Sequence, residues 1–235
     1  MAVLNRPNPG KALDANTKQG AFVRYPVKTP LIKNGDDLVS ILKDELKDSL
    51  QNEDILLVAE SVVAISEGRA FKFNEIKPGF LARFLSRFVT RTPHGIGLGT
   101  PQTMQLAISE VGHFRILLAA LVHVLTRPLG FKGNFYRVAG EKARGIDGPT
   151  ENTIPPYNSY ASLIPKDPAG FARRMEQALL PAKVKVVVID ANDIGVNILG
   201  EKDKDLVSLA KELSADNPLG QGSESTPALL CRRVA

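Results

Sequence analysis

Three groups of oxygen-bearing side chains stand where this chain is expected to turn. Asp147 lies between Gly145 and Gly148-Pro149. Asp190, Asn192 and Asp193 directly follow a β-branched run, Val184 to Ile189. Gln221, Ser223 and Glu224 fall in a glycine-containing loop before the last apolar run. Carboxylates and amide carbonyls on loops are the hard ligands that magnesium or manganese takes beside a nucleoside triphosphate. The same residue types also form turns by bonding their own backbone, so composition alone leaves both readings open.

Other motifs carry less chemistry. Gly95-Ile96-Gly97-Leu98-Gly99 leads into a helix start, where free N–H groups can hold phosphate. No Gly-Lys-Ser/Thr follows it and it lacks the strand that a dinucleotide fingerprint requires, so a plain glycine turn is the simpler reading. His94, His113 and His123 have no zinc-ligand spacing. No Gly-x-Ser-x-Gly elbow exists. Cys231 is the only cysteine, which excludes an intrachain disulfide; its apolar surroundings, Pro227 to Cys231, predict a buried thiol rather than a nucleophile.

The elements that must position these residues follow from periodicity. Met1 to Arg24, rich in Pro, Asn, Gly and Lys, reads as a flexible N-terminal arm, with the domain spanning 25–235. Asp36 to Leu50 has helical spacing. Asp54 to Ile65 reads as a buried strand ended by Glu67-Gly68. Gly79 to Arg91 carries two helical stripes, Phe80, Phe84 and Phe88 beside Arg83, Arg87 and Arg91. Such a helix suits a membrane surface or a nucleic-acid backbone, but three charges are equally a solvated face. Thr100-Pro101 opens the next helix, largely buried and running to Leu125 with a break at Gly112. Gly130 to Gly148 reads as basic and irregular, and Tyr157 to Ile164 as a strand. A helix capped by Asp167-Pro168 runs to Ala178, and Val184 to Ile189 is the clearest buried strand. A helix at Asp203 to Leu213 precedes the final strand, Ala228 to Arg232. Strands and helices mix without a regular βαβ rhythm, which predicts an α+β fold of mixed sheets with packed helices.

Charge and hydropathy bound the partners. Thirty Lys and Arg against 25 Asp and Glu give +5, with a pI near 9.3, a mild preference for anionic partners such as phosphates and nucleotides. The longest apolar run, Ile116 to Leu125, falls short of the roughly 20 residues of a membrane span, and no signal peptide opens the chain. The expected location is the cytoplasm.

Several segments, in order, resemble the coenzyme F-420 gamma-glutamyl ligases. They are Thr29-Pro30-Leu31-Ile32 with Gly35-Asp36-Asp37-Leu38, Asp54 to Ala59 with Ser66-Glu67-Gly68-Arg69, and Gly145-Ile146-Asp147 with Leu163 to Pro168. Val186 to Gly195, then Leu219-Gly220-Gln221 with Thr226 to Leu230, complete the set. The resemblance implies GTP-dependent amide ligation through an acyl phosphate, with L-glutamate joined to a small carboxylate acceptor. It implies Asp147, Asp190, Asn192, Asp193 and Gln221 as ligands of Mg or Mn. It implies Lys28, Thr29, Pro30, Leu31, Glu60, Ser61, Thr150, Gln221 and Ser223 as the nucleotide lining, and an intertwined homodimer. The apolar segment Val111 to Leu125 also points to a dimer, being longer than one small domain readily covers. Four residues depart from the pattern: Ile65 stands where a lysine is expected, Asn192 where an aspartate is, and Pro149-Thr150 where Ser-Asn is. If a nucleotide site survives the loss at Ile65, the replacement cation should come from Lys132, Arg137, Lys142 or Arg144. The alternatives are a non-catalytic or repurposed relative that binds a phosphorylated ligand, or a basic nucleic-acid-binding protein, the less favoured of the two.

Overall fold

The structure is a computed structural model that describes residues 3–89, 97–131, 133–151, 153–192, 195–220, 222 and 224–234. In chain order its elements begin with β1 (Asp14–Thr17), β2 (Gly20–Val27), α1 (Leu38–Leu46), β3 (Ile55–Ala59), α2 (Glu60–Ser66) and β4 (Ala70–Lys72). Next come α3 (Phe80–Leu85), α4 (Pro101–Val111), α5 (His113–Thr126), α6 (Asn134–Ala139), α7 (Glu141–Arg144) and β5 (Tyr160–Ser162). The last are α8 (Pro168–Ala178), β6 (Lys185–Asn192), β7 (Gly195–Leu199), α9 (Lys204–Leu213) and β8 (Ala228–Arg233). They divide into two compact units. The first comprises 1–68, 152–154 and 165–235, and the second 69–151 and 155–164.

Unit 1 is built on a mixed sheet with strand order β1-β2-β8-β3-β6-β7, in which only β3 and β6 run parallel. Side chains alternate between its faces. Leu56, Val58, Val186 and Val188 pack with Leu38, Leu42 and Leu46 of α1, Val62 and Val63 of α2, and Phe171 and Met175 of α8. Leu57, Val187, Ile189 and Leu229 pack on the other face with Phe22 and with Leu209, Ala210 and Leu213 of α9. Covering on both faces is why β6 reads as an unbroken apolar run. Cys231 lies in the second of these layers, and burial pushes its thiol well above the usual range, as expected of an inert core residue.

Within the segment expected to be a flexible arm, Asp14–Thr17 and Gly20–Val27 pair as a hairpin on the sheet edge. The anchor is Arg24, 3% exposed, whose guanidinium donates to the carbonyls of Ala12 and Leu213 and pairs with Asp216. The strand at Asp54 to Ile65 also ends early, at Ala59. Val62, Val63 and Ile65 turn helical because α2 packs them on the sheet, and tertiary packing overrides β-branched preference.

Unit 2 is mostly helical around one core in which Leu85, Met104, Ile108, Ile116, Phe135 and Ile146 are buried, beside the two-stranded sheet β4-β5. Thr100 caps α4 as expected, its hydroxyl accepting from Thr103 N–H at 3.2 Å. Gly112, at φ +87°, breaks α4 from α5. The segment 130–148 is not irregular: Gly133 and Gly140, both at positive φ, punctuate α6 and α7. Nor is α5 largely buried. Only Ile116 and Ala119 of its fourteen residues are fully covered within the chain. The helix expected at Gly79 to Arg91 is α3 followed by a 3-10 turn at Ser86–Phe88, and Arg91 lies outside the described residues.

Candidate functional site

The strand register of unit 1 brings several of the sequence candidates to one end of the sheet. Val27, Ala228, Val58, Val188 and Leu199 form a single rung across five strands. Just beyond that rung β2 delivers Lys28, Thr29, Pro30 and Leu31, and β3 delivers Glu60 and Ser61. There β6 continues into Asp190 and Asn192, and the loop preceding β8 arrives. In sheets with parallel strands, the carboxyl ends are where loops gather to bind ligands.

The loops at this end are tied together. Thr29 is buried; its N–H donates to the Ser225 carbonyl at 3.0 Å, and Ser225 Oγ returns a bond to the Thr29 carbonyl at 2.9 Å. Ala59 N–H donates to the Pro227 carbonyl at 2.8 Å. Asn8, buried, donates to the Pro218 carbonyl at 2.9 Å and to Thr226 Oγ1 at 2.8 Å, while that hydroxyl donates to the Leu219 carbonyl at 3.0 Å. Gly220, at φ +82°, leaves room for Glu224, whose carboxylate carbon would lie 3.0 Å from any Cβ placed there. Asn8, Ser225 and Thr226 hold this end of the unit, and the sequence reading missed them. Asn8 fell in the presumed arm, and no local pattern marks a bond across more than two hundred residues.

Asp190 and Asn192 are within β6, not in a loop after it, because the strand runs on and folds back into β7. Alternation from Val186 and Val188 puts both on the face where α2 begins. Burial pushes the Asp190 carboxyl above the usual carboxylate range. Asn192 Oδ1 accepts from Gly195 N–H at 3.1 Å, across the last pair of the β6–β7 ladder. Asp193, Gln221 and Ser223 lie outside the described residues.

Asp147 and Thr150 belong to unit 2, where both are exposed. Asp147 exchanges backbone bonds with Ser162, its N–H donating at 3.0 Å and its carbonyl accepting at 2.9 Å. Arg69 braces the same corner. Its backbone carbonyl accepts from Leu163, its Nε donates to the Ile164 carbonyl, and its guanidinium stands 2.8 Å from Glu110, which also pairs with Lys142 at 3.4 Å. Among the described residues, no three His, Cys, Asp or Glu side chains converge as a metal group. Of the proposed replacement cations, Arg137 donates to Asn134 and Lys142 pairs with Glu110, Arg144 is exposed, and Lys132 lies outside the described residues. Gly97 and Gly99 of the glycine run are described; Gly95, Ile96 and His94 are not.

Comparison with known proteins gives this geometry a family. A coenzyme F420:L-glutamate ligase of Methanosarcina barkeri is 47% identical over 53 residues, 23% of this chain. That match spans only 20% of the Methanosarcina protein's own length. The ligase of the same name from Methanopyrus kandleri is 23% identical over 231 residues, covering 86% of this chain and 82% of the relative. One from Archaeoglobus fulgidus is 25% identical over 172 residues, covering 72% and 59%. The sequence model of the F420-0:gamma-glutamyl ligase family matches residues 26–198, well over half of the chain, and the chain belongs to that family.

Proposed function

We propose that this protein is a carboxylate–amine ligase that consumes a nucleoside triphosphate, GTP by resemblance, with a divalent cation and with L-glutamate as the amine. The reading is carried by the single row of strand ends in unit 1, where Lys28 to Leu31, Glu60, Ser61 and Asp190 meet at the carboxyl ends of β3 and β6. The donor set suits a hard cation in part. Asp190 is a carboxylate whose ionised form burial disfavours, and a bound Mg or Mn would offset that cost. Asn192 suits it less, since its side-chain oxygen already accepts from Gly195 N–H.

The reaction balances in two steps. An oxygen of the acceptor carboxylate attacks the γ-phosphorus, and the nucleoside diphosphate leaves. The amine nitrogen of glutamate then attacks the acyl carbon; the C–N bond forms, the C–O bond to phosphate breaks, and phosphate departs as the amine loses a proton. A bound divalent cation neutralises phosphate charge. The chain's own residues orient the nucleotide and exclude water at the sheet end, where Thr29 and Ser225 fix the loop geometry.

The test supplies GTP or ATP with Mg or Mn, L-glutamate and a set of carboxylate acceptors that includes a deazaflavin phosphoester. Expected is one phosphate released for each glutamyl amide formed. Absence of both nucleotide binding and turnover with either metal would leave the second reading, a repurposed relative that holds a phosphorylated ligand. Ile65 favours that alternative, because an alkyl side chain packed against the core stands where a phosphate-binding lysine is expected.

A further inference from the structure

Residues 3–11 precede the family match, which begins at residue 26, yet they are fastened to the sheet end proposed for the nucleotide. Two contacts hold the exit of β2: Val3 bridges Val27, and Leu4 N–H donates to the Pro26 carbonyl at 2.9 Å. Others hold the loop before β8. Asn8, 5% exposed, uses its side-chain amide nitrogen on both the Pro218 carbonyl and Thr226 Oγ1. Lys11 Nζ donates to the Asp216 carbonyl at 2.7 Å. Gly10, at φ +74°, turns the chain between them, and Lys11 N–H closes that turn on the Asn8 carbonyl at 3.0 Å.

The loop needs that support. Asn217 and Ser225 both have left-handed backbone, at φ +49° and +54°, a conformation that non-glycine residues keep only where contacts over-determine it. The polarity of the contacts is fixed as well. A carbonyl only accepts, so Asn8 must present its amide nitrogen to Pro218. The Thr226 hydroxyl gives its one proton to the Leu219 carbonyl and so can only accept from Asn8. Ser225, next to Thr226, exchanges two bonds with Thr29 of the proposed nucleotide lining. A directed chain of contacts therefore runs from Asn8 through Thr226 and Ser225 to Thr29.

We propose that residues 3–11 clamp this end of unit 1, and that Asn8 is a positioning residue for the nucleotide, acting through Thr226 and Ser225 on Thr29. The inference rests on the nucleotide reading of unit 1. It gives a role in that site to a segment ahead of the family match, one that touches both the strand leading into the lining and the loop facing it.

The experiment uses the full chain and two readouts. Hydrogen exchange without nucleotide compares amides of the loop before β8 with those of β3. Titration calorimetry with GTP or ATP and Mg gives the nucleotide affinity. Three variants cut the chain of contacts: Asn8→Ala, Asn8→Asp, which keeps the size but turns an oxygen toward the Pro218 carbonyl, and Thr226→Val, which keeps the shape without the hydroxyl. Expected in each is faster exchange in the loop with β3 unchanged, and nucleotide bound about tenfold more weakly. Leu209→Ala, in the buried layer under α9, is the control for a merely structural loss. It should speed exchange of β3 and leave nucleotide affinity as it was. Loop exchange indifferent to Asn8→Ala and Thr226→Val overturns the clamp. A loosened loop with unchanged affinity overturns Asn8 as a positioning residue. If the unsubstituted chain binds neither nucleotide, the ligase reading fails on its own, and loop exchange alone decides the clamp.

Discussion

The two units bury apolar surface differently. Unit 1 sandwiches its sheet between helices, and of the thirteen exposed large apolar side chains among the described residues it carries only Leu180 and Val234. Unit 2 carries the other eleven. Charge divides the same way. Unit 2 has twelve Lys and Arg against five Asp and Glu, a net of +7, which leaves unit 1 at −2. A unit that satisfies its own sheet is suited to hold a small-molecule site rigidly, whereas one that exposes a helix face and a charge of one sign is suited to meet something larger.

The sharpest break in the comparison should come from removing one charge in unit 1. Asp54 is 1% exposed and accepts from Arg232 Nε at 2.9 Å and from Nη2 at 2.7 Å. Arg232→Ala leaves that carboxylate buried without its partner, which costs about 3–5 kcal/mol. Urea denaturation measures it, and a loss below about 1 kcal/mol would mean that water reaches Asp54 and that unit 1 is looser than its burial suggests.

One substitution made in both units tests the contrast directly. Leu57, at the centre of β3, is fully buried, whereas Leu121 on α5 is 55% exposed. Leu57→Ala should cost about 2–5 kcal/mol through lost burial and the cavity it leaves. Leu121→Ala should stay within roughly 0.5 kcal/mol. If the two cost the same, α5 is covered in solution by something that the isolated chain does not show.

Nucleotide affinity should respond more modestly. Lys142→Ala and Arg144→Ala each remove a cation from the segment that leads into Asp147, while Ile65→Lys restores the expected one. A charge-assisted bond to phosphate is worth about 1.5–3 kcal/mol, so titration calorimetry with Mg should read roughly tenfold to hundredfold changes: weaker for the first two variants, tighter for the third. Unchanged affinity in all three would place the phosphates elsewhere. Lys142 carries a confound, because losing it also removes a partner of Glu110, so Arg144→Ala is the cleaner probe.

How much of this was legible in the sequence depended on how local the cause was. The caps at Thr100 and Asp167, the apolar β6 run and the buried Cys231 all rest on neighbouring residues, and each appears as read. The hairpin at 14–27 was missed because its anchor, Arg24, is satisfied by Leu213 and Asp216, almost two hundred residues away. The extension of β6 through Asn192 was missed because Asp and Asn imitate a turn; here both lie in the strand, with Asn192 accepting from Gly195 N–H of β7. The exposure of α5 was missed because an apolar helix facing outward and one buried all round have the same composition, and only the surrounding helices distinguish them.

The smallest expected effect bears on the metal. Burial raises the Asp190 carboxyl above its unfolded value. A raised folded pKa means that the fold favours the protonated acid. That contribution is fully present below the unfolded carboxylate pKa of about 3.9 and is lost as pH rises through the higher folded value. At neutral pH an ionised Asp190 therefore weighs against the fold. Asp190→Asn should raise Tm by roughly 1–3 °C at pH 7 and lose that advantage in acid. A cation bound at Asp190 would relieve the same cost in the unsubstituted protein. Mg or Mn should then raise its Tm at pH 7 and leave that of Asp190→Asn unmoved. Equal metal responses in the two proteins would remove Asp190 from the ligand set, and a Tm gain for the variant that persists unchanged into acid would remove burial of charge as its cause.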